Sequence, residues 1–314
     1  MSRDTHNSTL YYLLKQQISL HRFSLRYNDA TVFATPRKWI RWWIFVSCRI
    51  LATAYAVVWL IAYVINRSIS KERGGKTFIF LSVWAYITFV ITHILITTIT
   101  CKYYIGVWWS SRNNDSSTNT STIMDYMVKI LWVLYTITIT TSFMVTVGYY
   151  TTVDPDFDDF DVYSLHIHGI NLIIVIIDLV MARIPVMLLH FYAPMVYSLV
   201  YIVFTGVYAA SGGTDHKERD YIYAALDYRN ELGSSIGWAI LLVLLTFIVH
   251  CIFTLILLVR DYVALRYNCC WYKCAVWQVR EDEVEMGSTG NPSVSAFINS
   301  SALSPHSGSE VTSL

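Results

Sequence analysis

Residues 236–259 read IGWAILLVLLTFIVHCIFTLILLV, from Ile236 to Val259 without one charged side chain. At about 1.5 Å per residue, a helix of this length crosses the roughly 30 Å hydrocarbon core of a bilayer. The rest of the chain agrees. Of its 314 residues, 55% are hydrophobic and only 14% charged, and the mean hydropathy is +0.44. Ordinary soluble proteins carry about 25% charged residues. The fold class expected is therefore all-α, a polytopic membrane bundle. A soluble globular enzyme, a disulfide-stapled secreted domain and a disordered protein are excluded. A net charge of +1 leaves no nucleic-acid footprint.

Working outward from this run, five more apolar stretches stand out: Trp42–Ile65, Thr77–Thr100, Met127–Tyr150, Leu165–Pro185 and His190–Ala210. About six transmembrane helices follow. The fourth and fifth nearly abut and predict a tight helical hairpin. A membrane barrel would instead show alternating segments of about ten residues. Threonines crowd the second and third runs, at Thr97, Thr98 and Thr100 and from Thr136 to Thr141. In water they would favour strand, but in a membrane their hydroxyls can bond their own helix carbonyls.

The chain thus divides into an N-terminal segment (1–38), a transmembrane domain (39–262) and a tail (263–314), with disorder expected from about residue 282. The N-terminal segment is polar and basic, with no signal peptide. Its stretch Leu10–Tyr27 alternates apolar and basic residues, as an interfacial segment or a plain polar leader would.

Lysine and arginine counts orient the bundle. With the N-terminus inside, the inner segments hold seven, two, one and four such residues, and the outer loops four, none and three. Both termini are expected in the cytoplasm, in the plasma membrane or an endomembrane. No outer loop contains a cysteine, so no extracellular disulfide is expected. Cys269, Cys270 and Cys274 follow the last span and are palmitoylation candidates, or free thiols. The sequons at Asn114 and Asn119 fall in a loop that the charge count places inside. At the C-terminus, Thr312 and Leu314 fit capture by a cytoplasmic PDZ-type scaffold.

The familiar catalytic signatures are missing: no G-x-S-x-G, no H-E-x-x-H, no P-loop, no paired C-x-x-C. No cofactor and no metal site are expected. The acidic stretch Asp154–Asp161 lacks the spacing of a calcium loop and reads as a solvated loop. On a helix, His166 and His168 would point about 200° apart, too far to chelate one ion.

Polar residues inside the spans are more informative, because they are costly in lipid and normally face the bundle interior. Ser82, Tyr86 and His93 share one face of the second span, and His168, Asn171 and Asp178 form a stripe on the fourth. Ser82 and His168 lie at matching depth, roughly 5–8 Å inside the same membrane face. A hydroxyl and an imidazole so placed are the minimum for a His-activated nucleophile acting on a lipid ester, with Tyr86 or Asn171 supporting the base or the oxyanion. Depth also matches Arg49 with Asp178, and an ion pair is expected there, with Arg183 as the fallback partner of Asp178.

Three stretches carry a family likeness. They are Leu20-His-Arg-Phe-Ser-Leu25 with Phe33 and Trp39, His168-Gly-Ile-Asn171, and Gly212-Gly-Thr-Asp-His216 followed by Asp220-Tyr-Ile-Tyr-Ala-Ala-Leu-Asp-Tyr-Arg-Asn230. Over about residues 15–265 the chain resembles the rolling stone proteins. These are distantly similar to the androgen-induced-gene and androgen-dependent TFPI-regulating membrane proteins. The resemblance implies six spans and, from the vertebrate members, an intramembrane threonine hydrolase of fatty acid esters of hydroxy fatty acids. Gly74-Gly75 and Phe80-Leu81-Ser82-Val83-Trp84 match the pattern of that family's threonine, with Ser82 in its place, and His168 matches its histidine. Rolling stone members are also associated with myoblast fusion, which implies an alternative: a non-enzymatic surface protein of cell–cell contact. A transporter is disfavoured, because no inverted repeat or pair of broken spans is visible.

Overall fold

The computed structural model describes residues 29–37, 39–70, 73–113, 122–153 and 161–266, with residues 11, 13–15, 17–18, 23 and 25. Its principal helices are α1 (Trp42–Val64), α2 (Leu81–Asn113), α3 (Thr122–Gly148), α4 (Asn171–Met181), α5 (Tyr192–Ala210) and α6 (Leu232–Arg266). Wider π-helical turns extend α1 through Ile65–Ser70 and α3 through Tyr149–Val153, and the turn Leu165–Ile170 leads into α4. With these extensions, six helices are long and apolar enough to cross a membrane. No β-strand occurs among the described residues.

The threonines settle the helix against the strand. Thr88, Thr92, Thr100, Thr136, Thr140, Thr141 and Thr146 each donate to the carbonyl one turn back. Two pairs also join helices: Thr92 Oγ1 to Thr138 Oγ1 at 2.8 Å, and Thr53 Oγ1 to Thr97 Oγ1 at 2.7 Å.

Helix α3 is the hub, packed against α2, α4, α5 and α6, while α1 closes a four-helix group with α2 and α4. Connections 65–70, 73–80 and 211–231 and the head of α4 lie at one end, here the loop face. Residues 29–37 and 39–41 and the end of α6 lie at the other.

The expected hairpin of the fourth and fifth spans takes another form. Helix α4 ends at Met181, and residues 182–187 run on without helix before the turn Leu188–Phe191. This carries the chain from the α1–α3 side, where α4 packs, to α5, which packs on α3 and α6. The stretch is buried, so its carbonyls need donors. Trp132 Nε1 supplies Pro185 at 2.7 Å, His250 Nε2 supplies Met187 at 3.0 Å, and Arg37 Nε supplies Ala182 at 3.1 Å. Arg260 and the Arg37 amide take the free carbonyls of Leu179 and Met181. Residues 29–37 are thus packed under this end of the bundle, with Phe33 edge-on to Trp132 at 5.5 Å.

Candidate functional site

Two polar stripes run along the four-helix group and meet at depth through His93 and Asp178. Ser82, Tyr86 and His93 share one side of α2, and His168, Asn171 and Asp178 share one side of α4 and its leading turn. Both run inward from the loop face, so they can be compared level by level.

Direct contacts fix the deepest level. Arg49 donates from Nε to Asp178 Oδ1 at 3.0 Å, and from Nη1 to Phe33 O at 3.0 Å and Thr100 Oγ1 at 2.7 Å. Tyr135 donates its hydroxyl to Asp178 Oδ2 at 2.9 Å. The Phe45 ring lies 4.0 Å under the guanidinium. His93 donates from Nδ1 to Phe89 O at 2.9 Å and lies within electrostatic reach of Asp178. Arg183 instead reaches Thr35 Oγ1 at 3.3 Å.

One heptad toward the loop face, His93 gives way to Tyr86, Asp178 to Asn171, and Tyr135 on antiparallel α3 to Ser142. The register therefore puts Tyr86, Ser142 and Asn171 at one level. They are 0%, 1% and 1% exposed. Among the described residues, Tyr86 Oη, Ser142 Oγ and Asn171 Nδ2 have no hydrogen-bond partner. Sequence reading missed Ser142, because in a helix so rich in hydroxyls only its heptad relation to Tyr135 marks it.

The next level holds Ser82 and His168. The Thr146 hydroxyl donates to the His168 carbonyl, and the His168 ring stacks on Tyr149 at 3.9 Å with planes 7° apart. His168 Nδ1 is buried with no partner among the described residues. A Cβ on Gly169 would lie 3.2 Å from the Tyr150 hydroxyl, so a glycine here lets α3 close on the turn. His166 faces the other way, hydrogen-bonded to the Tyr55 hydroxyl and stacked on Trp59 at 3.4 Å. Ser82 lies half-buried in the first turn of α2. It shares a level with His168, but no hydrogen bond joins the two.

The helix starts at Leu81 rather than Thr77, after a 3-10 turn over Gly74–Ile79 that opens with Gly74 at φ +53°. Tyrosines satisfy the break: Tyr201 donates to Ile79 O at 2.9 Å, and the Leu81 amide donates to Tyr223 Oη at 3.2 Å. The 211–231 loop thereby roofs the head of α2. Phe80 packs edge-on against His216 and Tyr223, and Lys76 bonds Thr214 Oγ1, Asp215 O and Glu218 at 3.0, 3.0 and 2.8 Å. Gly212 holds φ +85°, and a Cβ on Gly213 would lie 2.4 Å from the Tyr208 ring. Asp215 is fully buried, accepts from the amides of Lys217 and Arg219 at 2.8 Å, and pairs with the Arg219 guanidinium at 2.6 Å. Burial would raise its carboxyl pKa, but Arg219 and the amides outweigh it and hold the carboxyl below the usual range. Burial, then Arg73, pushes the His216 imidazole down.

At the head of the turn before α4, Asp161 accepts from Ser164 N at 3.1 Å and pairs with Arg67. The rest of the acidic stretch, both sequons, Cys269, Cys270, Cys274, Thr312 and Leu314 lie outside the described residues. Among the described residues, no group of three or more His, Cys, Asp or Glu could hold a metal ion.

Comparison with known proteins adds a family. Residues 11–279 match the family described as Protein rolling stone. A curated relative, Protein rolling stone of Drosophila melanogaster, is 26% identical over 160 residues, covering 50% of this chain. The chain spans 58% of that relative's length. No solved structure matches.

Proposed function

The chain belongs to the rolling stone family, and from that premise we propose that it is an intramembrane hydrolase of lipid esters, with Ser82 as nucleophile and His168 as base. The substrate class is fatty acid esters of hydroxy fatty acids, reached from the membrane. With both termini in the cytoplasm, the loop face is the outer one.

The observation that carries this reading is the setting of His168. Its ring is clamped on Tyr149, its carbonyl is held by Thr146, and its Nδ1 has no described partner. It shares a level with Ser82, on the stripe that meets Ser82's own at depth. In the reaction, Ser82 Oγ attacks the ester carbonyl while the imidazole takes its proton. The tetrahedral intermediate collapses, the C–O bond to the alcohol breaks, and the imidazolium returns the proton to the departing oxygen. Water, deprotonated by the same imidazole, then releases the acid and restores Ser82. Catalytic hydrogen bonds are often long before substrate binds, so the substrate oxygen completes the link between hydroxyl and ring.

The test is covalent labelling of purified protein by a fluorophosphonate. Labelling is expected in the wild type and lost in both Ser82→Ala and His168→Ala. Labelling that survives Ser82→Ala would reject the assignment.

A second reading, a non-enzymatic protein of cell–cell contact, draws support from the ion-paired 211–231 loop. Its partners would be a protein on the facing cell and, through Thr312 and Leu314, a cytoplasmic scaffold. In that case loop variants would abolish function and Ser82→Ala would not.

A further inference from the structure

Buried hydroxyls along α2 and α3 are almost all satisfied. Thr88, Thr92, Thr136, Thr140, Thr141 and Thr146 bond back to their own helices. Against this background, three side-chain groups that carry donor hydrogens are left over, among the described residues, at one level of α2, α3 and α4, the last two packed against each other and α3 also against α2. They are the Tyr86 hydroxyl, the Ser142 hydroxyl and the Asn171 amide nitrogen, each nine-tenths or more buried. The Asn171 orientation is fixed, because its Oδ1 already accepts the Leu172 amide at 2.6 Å, leaving only the NH₂ group to offer. His168 Nδ1, one turn nearer the loop face, is unpartnered too.

Unpaired donors are expensive to bury, and folded proteins carry few. Three on one level imply an occupant rich in acceptors. The level bears no net charge: its three groups are neutral, and the Arg49–Asp178 pair one heptad deeper is internally balanced. An acceptor oxygen on an otherwise apolar molecule meets that demand, and an acyl group in the membrane is such a molecule.

We infer that Tyr86, Ser142 and Asn171 form a buried seat for the acyl oxygen of a lipid, either an ester carbonyl or the carboxyl group of a free fatty acid. This deepens the hydrolase reading and rests on it for the acyl group, since the seat lies one turn inward of Ser82 on the same stripes.

The test uses oleic acid and methyl oleate, each ¹³C-labelled at the carbonyl carbon, with the full chain in detergent micelles. Carbonyl NMR follows binding in the Ser82→Ala background, where neither probe is turned over. The expected result is a bound carbonyl resonance distinct from the micellar one, with affinity falling at least tenfold in Tyr86→Phe and in Asn171→Leu. Which probe binds separates the ester from the free acid. Without probe, Tyr86→Phe and Ser142→Ala should melt no lower than their parent, because each removes only an unpaired donor. Two outcomes overturn the seat. One is the absence of a bound resonance, or one that both Tyr86→Phe and Asn171→Leu leave unchanged. The other is a lowered melting temperature in Tyr86→Phe and Ser142→Ala without probe, which would mark a structural water site. Failure of the hydrolase reading is separate: wild-type protein would then leave the methyl oleate signal unconverted to acid, whatever the seat does.

Discussion

Arg49 and Asp178 meet 3.0 Å apart inside the bundle, with only 2% and 8% of their side chains exposed. Each charge has further partners, Phe33 O and Thr100 for the guanidinium and Tyr135 for the carboxylate. Among the described residues Arg49 Nη2 alone of the guanidinium nitrogens has no partner. Two buried charges repay their desolvation only through such bonding, and removing one partner strands the other. Asp178→Asn and Arg49→Gln should each cost about 3–5 kcal/mol, while Tyr135→Phe should cost about 1 kcal/mol. Denaturant unfolding in detergent reads the difference. Replacing both charges, Arg49→Met with Asp178→Leu, should recover much of the loss. A double variant as unstable as either single one would count against this account.

The interhelical threonine pairs should matter far less. Thr138→Val removes the 2.8 Å bond from Thr92 across α2 and α3, but Thr92 keeps its bond to the Thr88 carbonyl. Measured side-chain hydrogen bonds between membrane helices average about 0.6 kcal/mol. Thr138→Val should therefore cost less than about 1 kcal/mol in the same unfolding assay.

Much of this arrangement is legible in the sequence, for physical reasons. Unbroken apolar runs admit only helix in lipid, so the spans were fixed by length and by the absence of charge. The stripes on α2 and α4 were legible because a polar side chain in hydrocarbon must face inward. Depth alone aligned Arg49 with Asp178. Helix ends were harder to see. The start of α2 at Leu81 depends on Tyr201 and Tyr223, more than a hundred residues away, satisfying the backbone there. The end of α4 at Met181 likewise depends on Trp132, His250 and Arg37. No local signal carries such partners. Ser142 escaped notice because its role follows from a missing bond, which no sequence displays.

Gly213 offers a sharp steric prediction. A methyl group there would lie 2.4 Å from the Tyr208 ring, which is itself held by a hydrogen bond from its hydroxyl to Thr214 O at 2.9 Å. Gly213→Ala must displace the ring or the loop, at about 1–3 kcal/mol. Hydrogen exchange across residues 211–231 should quicken by at least tenfold, while exchange in α3 stays unchanged. Equal protection in both proteins would show that the ring yields freely.

The roof loop should also loosen in acid. The folded loop holds His216 below the ordinary histidine pKa of about 6.5. The open loop therefore binds a proton first as pH falls, and stability present above pH 6.5 declines below it. Asp215 acts lower down. Its carboxyl is depressed in the folded loop, so its contribution persists above about 3.9, the ordinary aspartate value, and is lost as pH falls through the depressed one. Exchange rates for residues 211–231, corrected for intrinsic pH dependence, should rise between pH 7 and 5. In His216→Gln that rise should vanish.

The most direct prediction concerns the hydroxyl at position 82. On the proposed hydrolase reading a serine stands where a threonine would be expected, and the extra methyl is the whole difference. Ser82 is half-buried at the head of α2, where a β-branched residue is acceptable in a first helical turn. Ser82→Thr should keep fluorophosphonate labelling within about tenfold of wild type, since the proposed nucleophilic hydroxyl and its depth are unchanged. Ser82→Ala should lose labelling outright while folding normally. His168→Asn should lose it too, because an amide cannot take the proton even if it keeps the place against Tyr149. If Ser82→Thr is as dead as Ser82→Ala while both fold, the hydroxyl at this position has some role other than attack.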